Sequence, residues 1–266
     1  MSSIHRLIRV VSVVSVLLIS SGCAVDTDSG WQGSPSLATN QVCDPFGTAD
    51  IAGKYVLRNN RLGAEGGWQC VKPTETGFSI AEFVGGDPSV PVGYPSMSYG
   101  CSYGFCTPES VLPMKLDEIS SAMAEVSFTY VPDGSYDAAA VIALDPERAA
   151  TGDPKVEIMI YLNSHGLPDP QPGETRPDAV VDRRTWHVRQ PQQTGDGSRV
   201  IIYIAPEPIQ DLAINLLDFV NDGSERSSIN PSWYLNSIDA GFQCRSGCLG
   251  LGVDTFSTSV EQIRPQ

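Results

Sequence analysis

Apolar and polar residues alternate with a period of two along most of this chain, in short runs broken by Gly, Pro, Asn and Asp. The runs at 126–131, 136–144, 156–163, 185–189, 199–205 and 233–244 are rich in β-branched and aromatic residues and read as strands. Only 212–220 has helical spacing, with Leu212, Leu216, Phe219 and Val220 on one side. Many strands and one short helix predict an all-β fold, a sandwich or jelly roll of two antiparallel sheets. No compositional break or internal repeat divides 43–266, so that stretch is expected to be one domain. The 25 glycines and 20 prolines fit a fold rich in turns.

Residues 1–22 follow a different pattern. Arg6 and Arg9 precede an apolar run from Val10 to Ile19, and then come Ser20, Ser21, Gly22 and Cys23. That is the layout of a secretory signal, too short to span a bilayer comfortably. Small residues directly before a cysteine resemble the lipobox of bacterial lipoproteins, so Cys23 is expected to carry a lipid, with simple cleavage and release as the alternative. Residues 23–42 are small and polar and read as a tether. The chain is therefore expected at the cell surface, touching the membrane only through its anchor.

Seven cysteines give an odd count, which the lipid on Cys23 would resolve. Cys43, Cys70, Cys101, Cys106, Cys244 and Cys248 remain, enough for three bridges in an oxidising compartment. Their spacings suggest Cys43–Cys70, Cys101–Cys106 and Cys244–Cys248, one of several possible connectivities. No histidine accompanies them, since His165 and His187 stand apart, so neither a metal site nor a cofactor is expected. A formal charge of −14 argues against nucleic acid and anionic lipid as partners.

Alternation also sorts candidate chemistry. In VEIMIYLN (156–163), Glu157, Met159, Tyr161 and Asn163 are expected on one face, with Ile158, Ile160 and Leu162 in the core. Ala139, Val141 and Ala143 share a face of the preceding strand, making an apolar wall. A carboxylate facing that wall should have a raised pKa through desolvation.

Seven landmarks occur in the order found in glycoside hydrolase family 12, the compact endo-β-1,4-glucanases and xyloglucanases. They are YVLRNNRLG (55–63), QC (69–70), YPSMSYGCSYGFC (94–106), LPMKL (112–116), VEIMIYLN (156–163), WYLNSIDAGF (233–242) and GLGVDTFSTSV (250–260). The chain resembles that family from about Lys54 to Val260. The resemblance implies a concanavalin-like jelly roll whose inner sheet forms a groove for a neutral β-glucan, and a monomeric protein. It also implies retaining hydrolysis by two carboxylates about 5–5.5 Å apart.

By this resemblance the nucleophile is Glu157, and Asn60, Leu62, Tyr103, Met159, Tyr161 and Asn163 line the groove. The acid/base glutamate that follows AGF in the family is here Gln243. An amide has no proton to give the departing sugar and cannot activate water, so a contribution of roughly 10²–10⁴-fold is forfeited. Other departures share the groove. Val141 and Ala143 replace the Asp and Trp of the YDIW strand, Leu62 replaces a stacking Trp, and Ser102 replaces a frequent His. Two other carboxylates could be considered as substitutes. Asp239 is on the face of Gln243 but about 13 Å along the strand, and Asp254 lies further on. The expectation is a glucan-engaging surface protein with weak or absent hydrolysis. The alternatives are a glycosidase acting where the leaving group departs readily or through a substitute acid, and an envelope protein with no catalysis.

Overall fold

A computed structural model describes residues 41–264, apart from 63–65, 86–88, 149–150, 168–172 and 191–196. The signal segment, Cys23 and all but the last two tether residues lie outside the described residues. Those two residues already join the fold, for Val42 bridges to Val71.

The strands in chain order begin with β1 (Thr48–Ile51), β2 (Tyr55–Arg58), β3 (Trp68–Pro73), β4 (Phe78–Val84) and β5 (Ser96–Ser102). Next come β6 (Phe105–Cys106), β7 (Met114–Lys115), β8 (Ile119–Thr129), β9 (Ser135–Asp145) and β10 (Val156–His165). The rest are β11 (Glu174–Val181), β12 (Arg184–Gln190), β13 (Arg199–Ile204), β14 (Asp211–Asn215), helix α1 (Leu217–Ser227), β15 (Tyr234–Ser246) and β16 (Gly252–Gln262).

They form two sheets. The inner one runs β1-β2-β5-β15-β9-β10-β13-β12-β11, with β6 on β5 and β7 on β15; the outer one runs β14-β8-β16-β4-β3. This is the expected jelly roll. Pairing is antiparallel except between β10 and β13, which run parallel because β11 and β12 intervene in the chain.

One face of the inner sheet meets the outer sheet. Ala138, Ala140 and Ile142 from β9, Ile158 and Ile160 from β10, and Ile238 and Phe242 from β15 are buried there. Phe242 meets Phe128 of β8 edge-on, with ring centroids 5.2 Å apart, which joins the two layers. Alternation then forces residues such as Ala139, Val141 and Glu157 onto the opposite face.

The segment 212–220 differs from its expectation. Leu212 and Ile214 are both buried because they alternate along β14, which pairs with β8. The helix starts only at Leu217 and packs Phe219 against Trp186 and Tyr203, at 5.2 and 5.0 Å between centroids.

Two bridges form as expected, Cys43–Cys70 and Cys101–Cys106. The third does not: Cys244 and Cys248 are buried thiols. Cys244 points into the core from β15, and the turn at Gly247 brings Cys248 back beside it. The Cys248 thiol faces the Ser246 carbonyl at 3.5 Å. Burial, and then the neighbouring thiol, push the Cys244 pKa well up.

Candidate active site

The outward face of the inner sheet is a floor of side chains in register across several strands. One row runs Gly100, Ser237, Ala143, Glu157, Val200. The next runs Val56, Ser98, Asp239, Val141, Met159, Ile202 and Arg189. A third runs Arg58, Ser96, Gly241, Ala139, Tyr161, Ile204 and His187. Gln243 lies beyond, beside Asp137.

Gly241 has a structural task here. An added Cβ would come within 2.0 Å of the Pro95 carbonyl oxygen, so only glycine lets the Tyr94–Pro95 backbone lie against β15. That approach sets Tyr94 over the floor, packed with Ala139, Val141, Tyr161 and Ile202.

Glu157 faces the apolar wall that the sequence implied. Its pKa is pushed up to about 7, first by burial, then by the negative charge of Asp239, then by that of Asp153. Asp239 is fixed by the hydroxyls of Ser98 and Ser237, the latter 2.9 Å from its Oδ2. Burial raises its pKa, while Arg58 and the two serines oppose the rise.

On the far side of the floor, Tyr161 donates its hydroxyl to Gln243 Oε1 at 3.3 Å. Gln243 therefore sits on the same face as Glu157. Beside it Asp137 is fully buried and bound by Arg245 at 3.0 Å and by Ser164 at 2.7 Å. Tyr103 is exposed on the β5–β6 turn and donates to Asp153 Oδ1 at 2.9 Å.

Only some of the expected residues gather on this face. Glu157, Met159, Tyr161 and Gln243 share the outward face. Asn163 does not: the β10 register slips between Tyr161 and Asn163, so Asn163 pairs with Ala138 on the core side, near Tyr136. Leu62 is 64% exposed and Asn60 partly buried, both beyond the end of β2, where the Asn60 carbonyl accepts from Tyr94 N. Asp254 lies on β16 of the outer sheet and accepts from Thr129, which removes it as a substitute acid.

The profile of glycosyl hydrolase family 12 matches residues 53–261. The chain belongs to that family. "Probable cellulase Cel12b" of Mycobacterium tuberculosis is 33% identical over 153 residues, covering 56% of this chain and 97% of that protein. The xyloglucan-specific endo-beta-1,4-glucanase A of Emericella nidulans is 26% identical over 234 residues, 82% of this chain and 90% of that one. Among solved structures, the endo-1,4-beta-glucanase CelB2 superposes with a TM-score of 0.78 at 37% identity, covering 84% of this chain and all of that one. The endoglucanase Cel12A of Rhodothermus marinus gives 0.78 at 28% identity, covering 85% of this chain and all of the other.

Within this cellulase-type glycoside hydrolase fold, the family's frame is kept by the core faces of β9, β10 and β15. The departures noted in the sequence, at Val141, Ala143 and Gln243, all point outward from those strands. Asp239 was undervalued in the sequence. The sequence relates it only to Gln243 along β15, whereas the register across β9 sets it one row from Glu157.

Proposed function

We propose that this chain is a surface-held, cellulase-type protein that engages β-1,4-glucan or a related neutral polysaccharide, with Glu157 as the attacking carboxylate and with weak hydrolysis. The observation that carries the reading is Gln243. Its amide lies on the groove face, hydrogen-bonded to Tyr161, where the family resemblance calls for a proton donor. Asp137 beside it already has its carboxylate oxygens held by Arg245 and Ser164. The ligand class comes by analogy with the glucanase names of the relatives.

Reducing ends released from barley β-glucan by the wild type and by Gln243→Glu test the reading. The variant should gain roughly 10²–10⁴-fold. Brisk hydrolysis by the wild type would sink the idea of a missing acid.

A second reading is favoured by the retained Glu157: turnover of substrates whose leaving group departs without protonation. An aryl cellobioside with a good leaving group should then form an adduct on Glu157, seen by mass spectrometry, and none in Glu157→Gln.

Export and anchoring through Cys23 belong to the same proposal. Metabolic labelling with an alkyne fatty acid should mark the wild type and not Cys23→Ala.

A further inference from the structure

The register sets Asp239 across β9 from Glu157 and one row away on the same face, yet the proposed function gives it no role. It lies beside Val141 on the groove floor, and Glu157 lies one row away beside Ala143. The side chains between the two carboxylates, Val141 and Ala143, offer no hydrogen bond and no countercharge. Asp239 is also held in place. Ser98 binds one oxygen and Ser237 the other, and Ser237 stands in the row of Glu157.

We propose that Asp239 is a positioning residue for Glu157, a fixed carboxylate on the groove floor that governs when Glu157 can attack. This rests on the reading of Glu157 as the nucleophile.

The groups that face Glu157 support it. Asp239 comes from β15, Asp153 from the β9–β10 connection, Tyr94 from the segment before β5, Tyr103 from the β5–β6 turn and Tyr161 from β10 itself. The three tyrosines are neutral near pH 7, each pushed further up by burial. The charges acting on Glu157 are therefore both negative. Burial raises the Asp239 pKa, and Arg58, Ser98 and Ser237 oppose that rise. A like charge on Asp239 disfavours ionisation of Glu157. A protonated Glu157 cannot attack an anomeric carbon. The nucleophile becomes available only as pH rises through about 7.

The test titrates Glu157 by NMR in protein labelled with 13C at glutamate carboxyls, its signal assigned by loss in Glu157→Gln. The wild-type midpoint should lie near 7. In Asp239→Asn it should fall by about one pH unit, which is about fivefold more ionised Glu157 at pH 6. Asp239→Glu, which keeps the charge, should restore it. An unchanged midpoint in a folded Asp239→Asn protein overturns the proposal, and a merely structural role predicts that result. Should Asp239→Asn fail to fold, Asp239→Ser reads the same shift.

Covalent trapping by an activated 2-fluoro-cellobioside across the same pH range separates the two readings. An adduct on Glu157 with an unshifted midpoint defeats the role of Asp239 alone. A shifted midpoint with no adduct at any pH defeats the nucleophile and leaves the control by Asp239 standing.

Discussion

The outward face of the inner sheet has two halves of opposite character. On β2, β5 and β15 it presents Arg58, Ser96, Ser98 and Asp239. On β9, β10 and β13 the same rows continue as Ala139, Val141, Met159, Ile202 and Ile204, and Glu157 is the carboxylate set among them. The polar half holds its charge in a hydrogen-bonded clamp. The apolar half leaves its carboxyl facing methyl and thioether groups, and burial is the first cause of the raised Glu157 pKa. One sheet face thus treats two carboxylates differently. The cause is which neighbours the register supplies, and the core packing behind both halves is continuous.

The largest effect should come from erasing that contrast. Val141 lies directly beside Asp239, where opposed side chains come within about 4.5–5.5 Å. Val141→Asp would add a second carboxylate with no cation of its own. We expect it to cost about 3 kcal/mol at pH 8, measured by urea unfolding. The new carboxyl, and with it Asp239, would titrate above its unfolded-state value. The cost should therefore grow as pH rises through that window and shrink toward pH 4. A loss independent of pH would mean that shape, not charge, separates the halves.

Removing the exposed contradiction in the apolar half should act in the opposite direction. Glu157 titrates near 7 when folded and near 4.5 in its ordinary state. Its ionisation therefore opposes folding progressively between those values, and the penalty is complete above about pH 7. Glu157→Gln should raise stability by roughly 3 kcal/mol at pH 8 and leave it unchanged at pH 4. Equal stability of the two proteins at pH 8 would show that Glu157 is better solvated than its neighbours imply.

How much of this was legible in the sequence follows from what a single strand can report. Alternation placed Ala139, Val141 and Ala143 on one face and so foresaw the raised pKa of Glu157, because that inference needs only local periodicity. It could not see the slipped register after Tyr161, which turns Asn163 to the core, since a bulge has no signature in VEIMIYLN. The helical spacing of Leu212, Leu216, Phe219 and Val220 extends the expected helix back over Leu212, whereas Leu212 and Ile214 alternate along β14. Asp239 was measured along its own strand, and the relation that matters runs across β9. The thiols of Cys244 and Cys248 are close in sequence and in space, yet proximity is not a bond, and the Cys248 thiol faces the carbonyls of Ser135 and Ser246.

Within the polar half, the Asp239 clamp gives a smaller effect. Ser98→Ala removes one of the two hydroxyls that bind the carboxylate. Hydrogen bonds to charged groups contribute about 1.5–3 kcal/mol, and Ser237 remains, so the lower end is expected, about 1.5 kcal/mol by thermal unfolding at pH 7. A cost near zero would mean that Arg58 and Ser237 suffice to hold Asp239.

The smallest effect on folding should come from Tyr94, where the halves meet. Its ring packs on the apolar residues, while its hydroxyl is buried with no hydrogen-bond partner, as is Ser96 Oγ. Unpartnered buried hydroxyls cost free energy in the folded state, so Tyr94→Phe should change stability by less than about 0.5 kcal/mol, and in the favourable direction. If sugar hydroxyls are what these atoms await, the same variant should bind cello-oligosaccharide about fivefold more weakly by calorimetry, the loss of roughly one hydrogen bond. Lost stability with unchanged binding would show that the hydroxyl serves the fold. Lost binding with unchanged stability would place the ligand across the boundary between the two halves, with its hydroxyls over β5 and β15 and its carbon-bound hydrogens over β9 and β10.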